Sequence, residues 1–244
     1  MGSRVFGKNI DVSYRATYEF FENRAKKHND KHPYVTTMYQ DKNPELAVQR
    51  DAYEKNLVKN LLELDGNSKV LDIGCGIGRW AEEIDDGSYL GVDYSESLIA
   101  IARKNPAFQN KKIQFAVLPA QDVNSQTLKE KFNRFIISGI LIYLNDEDVA
   151  RCLKGVTKVA EQQSIIYIRE PISVVERLTL DKFYSEDLDA EYSVIYRTLD
   201  YYQTVIEEIM APAGFETIKA DFLYPEHLNN RKETAQYYFI LKRQ

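Results

Sequence analysis

The chain has 244 residues, 44% hydrophobic and 28% charged, with a net charge of −5. That suits one generous domain, or a domain with an appended cap, and excludes a disordered chain. An acidic balance disfavours a partner gripped through its phosphates, so nucleic acid is not an expected ligand. No apolar run approaches the ~20 residues of a membrane span, and no signal-peptide pattern is present. Cys75 and Cys152 lack metal-ligand spacing and suit a reducing compartment, so the expected setting is cytoplasmic. Residues 12–28 place Tyr14, Tyr18, Phe21 and Ala25 three and four apart, which predicts an amphipathic helix. The stretch from His28 through His32 to Asp41 is too broken for a helix; both histidines read as surface or capping groups before anything catalytic. Pro44-Glu45 opens a second helix to about Leu64, with Leu46, Tyr53, Leu57, Leu61 and Leu64 inward.

The next stretch, Val70 to Trp80, reads as a buried strand, a tight turn and a helix start. Glycines at Gly74, Gly76 and Gly78 let backbone N–H groups approach a ligand closely. A helix N-terminus beside them favours an anionic group. A P-loop needs Gly-Lys-Ser/Thr, and Gly78-Arg79-Trp80 is not that. A dinucleotide fingerprint needs a glycine where Arg79 stands. The motif present, Asp-x-Gly-x-Gly-x-Gly from Asp72 to Gly78, closely resembles the first motif of class I S-adenosylmethionine-dependent methyltransferases.

The resemblance implies an α/β fold: a seven-stranded, mostly parallel sheet, helices on both faces and one antiparallel strand near an edge. S-adenosylmethionine is the implied cofactor and S-adenosylhomocysteine its product. Asp72, the three glycines and Trp80 would belong to the cofactor turn, with a helix running from Arg79 to about Ile84. Residues 1–64 would form a helical cap, lending Tyr39 and Arg50 to the methionine end. Residues 65–244 would be the catalytic core. The strand Tyr89–Asp93 closes on an acid 17 residues beyond Gly76. Strand ends line up along one edge of a parallel sheet, so Asp93 would face the turn and take the ribose hydroxyls. Ser95 can cap the following helix, and Tyr94 would lie against the adenine. After the strand Ile113–Leu118, Ala120, Gln121 and Asp122 would surround the adenine amino group. After the strand Phe132–Ser138, Ser138 and Tyr143 would lie along the methionine moiety and the transferred methyl. The acidic run Asn145–Asp148 reads as a capped helix start, with Asn145 as N-cap, and not as a metal site.

A fifth strand, Ser164–Arg169, delivers Arg169 and Glu170 to the ligand edge. From about 172 to 212 the sequence is aromatic, polar and charged together, an expected substrate lid carrying Tyr192, Tyr196 and Arg197. Arg197 could hold a carboxylate or phosphate bidentately. Ala213-Gly214-Phe215 leads into a terminal hairpin, Glu216–Tyr224 and Gln236–Lys242, joined by a polar loop holding His227. The implied reaction is methyl transfer to an oxygen or nitrogen of a small molecule. His32, Tyr39, Tyr143, Glu170 and His227 are the candidate bases, should the acceptor have a proton to lose. A macromolecular acceptor would ask for an open basic groove; a non-catalytic binding module and a dehydrogenase are further alternatives. No repeat or heptad array sets an oligomeric state.

Overall fold

A computed structural model describes residues 2–109 and 112–244. Its elements in chain order begin with β1 (Ser3–Phe6), α1 (Tyr14–Lys26), α2 (Val35–Met38) and α3 (Pro44–Leu61), then β2 (Lys69–Ile73), β3 (Ser88–Asp93), α4 (Glu96–Lys104), β4 (Ile113–Val117) and β5 (Phe132–Ser138). They continue with α5 (Asp146–Val159), β6 (Ala160–Ser173), β7 (Leu178–Ser185), β8 (Ala190–Tyr196), α6 (Leu199–Ile209), β9 (Phe215–Phe222) and β10 (Thr234–Arg243).

The main sheet has seven strands in the order β4-β3-β2-β5-β6-β10-β9. Strands β2 to β6 pair in parallel, and β10 runs antiparallel to both of its neighbours. This is the expected doubly wound sheet, with its one antiparallel strand next to the edge. The central strands β2 and β5 are short, aliphatic and largely buried, as a parallel sheet between helices requires. One face packs on α5 and α6 through Leu153, Val156 and Ile206. The other packs on α3 and α4 through Val58, Leu62 and Ile99. Strand order reverses between β2 and β5, which opens a crevice at their carboxyl ends.

Three elements differ from the sequence reading. The segment after the glycine turn is a short 3-10 turn, Arg79–Glu83, and no α-helix. Ile84 is already extended, so the chain turns directly towards β3. The insertion is narrower than 172–212: β7 and β8 form an antiparallel hairpin, whereas α6 lies on the core face. The N-terminal segment is not wholly helical either, because β1 joins that hairpin as a third strand, Arg4 opposite Leu180. The N-terminal segment and the hairpin thereby pack as one body. Phe20 and Phe21 of α1 share a cluster with Leu178, Leu180 and Val194 of the hairpin. Among the described residues no helix is long and apolar enough to cross a membrane.

Candidate active site

The glycine turn is shaped by backbone need. Gly74, Gly76 and Gly78 have φ of 75°, 55° and 84°, a left-handed region costly to residues with a Cβ. Close approach adds to this: a Cβ at Gly76 would sit 2.7 Å from the Thr37 methyl, and one at Gly74 2.8 Å from Ile140. Asp93 ends β3 directly beside the turn, accepting the Gly76 N–H at 3.0 Å and the Ser95 N–H at 2.9 Å. Burial raises its pKa to about 6, against the pull of those backbone donors. Ser95 caps α4, as expected, by accepting the Leu98 N–H, which leaves Asp93 for the turn. Beside them the buried hydroxyls of Tyr94 and Thr37 have no hydrogen-bond partner among the described residues. A cradle that only glycine allows, a buried acid and two orphaned hydroxyls fit an adenosyl group with its ribose at Asp93.

The N-terminal segment is strapped over this edge. Glu22 of α1 accepts from the Ser95 hydroxyl at 2.7 Å and from Ser97, sitting as an anion at the α4 N-terminus. Arg24, buried beneath, donates to the carbonyls of Val35 and Thr36 and to Asp41, and lies 5.3 Å from the Tyr39 ring. Tyr39 takes the left-handed conformation, φ 54°, unusual for a residue with a Cβ. Its hydroxyl accepts from Tyr143 at 2.7 Å, tying the strap to the turn after β5. Burial raises both phenols well above their ordinary pKa, so neither is a base at neutral pH; both are neutral hydrogen-bonding groups.

Beyond Tyr39 and Tyr143 lies an inner cavity of about 130 Å³, lined also by Arg50, Ser138, Arg169 and Tyr196. A wider outer cavity of about 390 Å³ lies under the hairpin, against Arg4, Phe183, Tyr184 and Tyr192. Tyr196, Arg231 and Thr234 line both. The inner floor rests on a buried ionic hub, Glu54 of α3. Its Oε1 accepts from Tyr167 at 2.7 Å, Ser138 at 3.2 Å and Arg169 at 3.3 Å. Arg79 approaches Oε2 at 2.9 Å as an ion pair, though not along a hydrogen-bond direction, and holds Asp51 at 2.7 Å. Burial works against the charge on Glu54, but Arg169 and Arg79 outweigh it and hold the pKa at about 2.

Tyr39, Arg50, Gly74, Gly76, Asp93, Tyr94, Ser138, Tyr143, Arg169, Tyr192 and Tyr196 thus gather along one edge. Several expectations need correcting. Glu170 is no free base: its carboxylate accepts the N–H groups of Ile140, Leu141 and Ile142 at 3.0, 2.9 and 3.3 Å. It braces the turn that carries Tyr143, and burial raises its pKa to about 7. Arg197 reads no ligand; fully buried, it holds Asp146 at 2.7 Å and the carbonyls of Leu141 and Leu144. Trp80 packs into the core edge-on to Tyr167. Asp72 faces inward, taking the Tyr89 hydroxyl at 2.6 Å, and burial raises its pKa to about 7. His32 and His227 are exposed and line neither cavity. Ala120 packs in the core, the Gln121 carbonyl accepts from Arg151, and Asp122 is half exposed with Arg151 3.8 Å away. That 3-10 turn packs against α5. Asn145 occupies the N-cap position of α5 but gives its side chain to Val12, pinning the strap.

Tyr224 and Glu54 escaped the sequence reading, and Arg231 stood in it only as one member of the polar loop after Tyr224. Glu54 stands four residues after Arg50 on the same buried face of α3, while Tyr53, expected inward, is 39% exposed. The inward stripe is Leu46, Arg50, Glu54 and Val58, a mixed pattern that apolar periodicity does not flag.

A parallel sheet whose switch point carries a glycine turn, a neighbouring acid and a covered cavity defines the class I S-adenosylmethionine-dependent methyltransferases. The sequence profile of a methyltransferase domain matches residues 64–224. The chain belongs to that family. It is 30% identical over 129 residues to phosphoethanolamine N-methyltransferase 1 of Triticum aestivum, a match covering 51% of this chain and 25% of that protein. The chain therefore spans about a quarter of the length of this curated relative. Among solved structures it resembles a S-adenosylmethionine-dependent methyltransferase from Leishmania major, with TM-score 0.63 and 14% identity over 91% of this chain and 82% of that one. It also resembles the 1,6-didemethyltoxoflavin-N1-methyltransferase of Burkholderia thailandensis, solved with 1,6-didemethyltoxoflavin and S-adenosylhomocysteine. There the TM-score is 0.61, with 11% identity over 100% of this chain and 96% of the other. At such identities the likeness is one of fold.

Proposed function

We propose that this chain moves a methyl group from S-adenosylmethionine to an oxygen or nitrogen of a small molecule, without a metal. The observation that carries this is the meeting of three left-handed glycines and the buried Asp93 beside a partly covered cavity. When bound, the cofactor supplies an already activated sulfonium methyl. The chain's own part is positioning and exclusion of water, which can supply much of the acceleration in such a displacement. Asp93 would hold the ribose, and the glycine N–H groups the neighbouring polar atoms. The strap, with Thr37 and Tyr39, would cover the cofactor. Tyr39 and Tyr143, kept neutral by burial, would orient the acceptor through their hydroxyls.

Among the described residues no aspartate, glutamate or histidine lines the inner cavity. An acceptor that needs no base before attack, a neutral amine or an ionised oxygen, suits that lining. A small acceptor is supported by the hairpin roof and by two relatives whose names specify phosphoethanolamine and 1,6-didemethyltoxoflavin. A protein or nucleic-acid acceptor would ask for an open basic groove. Two free cysteines accord with a cytoplasmic setting.

Calorimetry with S-adenosylhomocysteine tests the cofactor assignment. Asp93→Ala should weaken binding by about 1–3 kcal/mol, the scale for losing hydrogen bonds to a charged group. A chain that ignores S-adenosylhomocysteine and is stabilised by NAD is a dehydrogenase. A methyl-donor assay on metabolite fractions, read by mass spectrometry, tests the acceptor class; label confined to protein or RNA would reverse it.

A further inference from the structure

The lining of the inner cavity carries three arginines and no carboxylate among the described residues. Arg50, only 8% exposed, donates to the Leu228 carbonyl at 2.8 Å and to Asn230 Oδ1 at 2.9 Å, and lies 5.2 Å from the Tyr224 ring. It meets no carboxylate among the described residues. Arg169, on the same lining, has one carboxylate, Glu54, and shares it with Arg79. Its Nη1 goes to Gln236 at 3.1 Å, and its Nη2 has no protein acceptor among the described residues. Arg231 lines both cavities; its partner is Asp187 at 3.1 Å, with both side chains about half exposed at the outer rim. Burial lowers the Arg50 pKa, Tyr224 opposes that, and the Arg231 and Arg169 charges add to the lowering. A buried guanidinium without a counter-charge, beside two more, is costly unless an anion completes the set. The remaining polar groups of the lining, Gln40, Asn229, Thr234 and several phenols, are neutral.

We propose that Arg50, Arg169 and Arg231 form a subsite for an anionic group, phosphate or carboxylate, carried by the methyl acceptor. The proposal rests on the methyltransferase reading above and adds the acceptor's charge to it. Arginine forks match the oxygens of both groups, so the set fixes orientation as well as charge. Arg231 is placed to act first, since it spans the two cavities and reaches the outer one, where Arg4 and Lys232 stand against Glu186, Asp187 and Glu233. An anionic acceptor entering under the hairpin would meet Arg231, then pass towards Arg169 and Arg50 behind it. The neutral phenols of Tyr39 and Tyr143 lie on the same inner lining, so a molecule held by its anion can present another atom to the cofactor's edge.

The test is calorimetry of the full chain with inorganic phosphate, pyrophosphate and succinate, each with and without saturating S-adenosylhomocysteine. The product fills the cofactor's own carboxylate site, so an anion that still binds reports the acceptor subsite. Binding of phosphate or pyrophosphate to the product complex is expected. Succinate binding more tightly than both would place the acceptor among carboxylates within the same proposal. Arg231→Gln should weaken anion binding by about tenfold or more, the scale of a charge-assisted pair, and leave S-adenosylhomocysteine affinity unchanged. Arg231→Lys should restore only part of it. Because Arg231 is half exposed, both variants should melt with the parent. Anions displaced by S-adenosylhomocysteine would assign the arginines to the cofactor carboxylate and overturn the proposal, as would anion binding indifferent to Arg231→Gln. Failure of S-adenosylhomocysteine itself to bind would instead overturn the methyltransferase reading, and with it the assignment to an acceptor.

Discussion

Glu54→Gln should cost about 3 kcal/mol of folding stability at neutral pH. The carboxylate is completely buried, and its environment holds the pKa at about 2 against an ordinary 4.5. At ~1.4 kcal/mol per pH unit, that difference makes the ionised group worth about 3 kcal/mol to the folded state. The amide keeps the Tyr167 hydrogen bond but turns a donor towards Arg79 or Arg169. Arg79 retains Asp51 at 2.7 Å, whereas Arg169 loses its only carboxylate among the described residues. The cost should therefore fall at the lower end of the ~3–5 kcal/mol for breaking a buried pair. The folded pKa lies below the unfolded one, so this stability is complete above about pH 4.5 and disappears as pH falls towards 2. Urea titrations of both proteins at pH 7 and at steps down to pH 3 read it directly. The gap should be widest at pH 7 and narrow below 4.5. A difference under ~1 kcal/mol at pH 7, or a gap that widens in acid, would refute the assignment of a charged hub.

Tyr143→Phe removes the hydroxyl that joins the strap to the turn after β5. It should cost about 1 kcal/mol and speed S-adenosylhomocysteine association in stopped flow; an unchanged association rate would mean that the strap does not gate the site. Arg197→Met should destabilise the fold by about 3 kcal/mol, since it leaves two buried carbonyls unpaired and Asp146 with Arg177 alone. A variant as stable as its parent, but altered in acceptor choice, would return Arg197 to the ligand-reading role its sequence context suggested.

Local chemistry made the sheet and its cofactor turn legible. Val70, Leu71 and Ile73 run into glycines whose left-handed conformations are close to obligatory, and Tyr89–Asp93 is a short buried strand ending in an acid. Those features depend on near neighbours in the chain, and a parallel sheet aligns strand ends by geometry alone. Ser95 as a cap and Gly214 before the last hairpin belong to the same kind.

What the chain could not disclose one segment at a time was which charges meet. Glu54 and Arg169 are 115 positions apart, and Arg50 and Leu228 are 178. Arg197 and Arg231 both follow the fifth strand in polar, charged sequence, yet one is sealed over Asp146 and the other opens onto two cavities. Glu170 could not be told from a base until the turn at 140–142 was seen to aim three N–H groups at it. Backbone conformation is set by sterics within a few residues, and so is written in sequence. The state and partner of a buried charge depend on desolvation and on groups brought close by distant segments, and only the assembled fold supplies those.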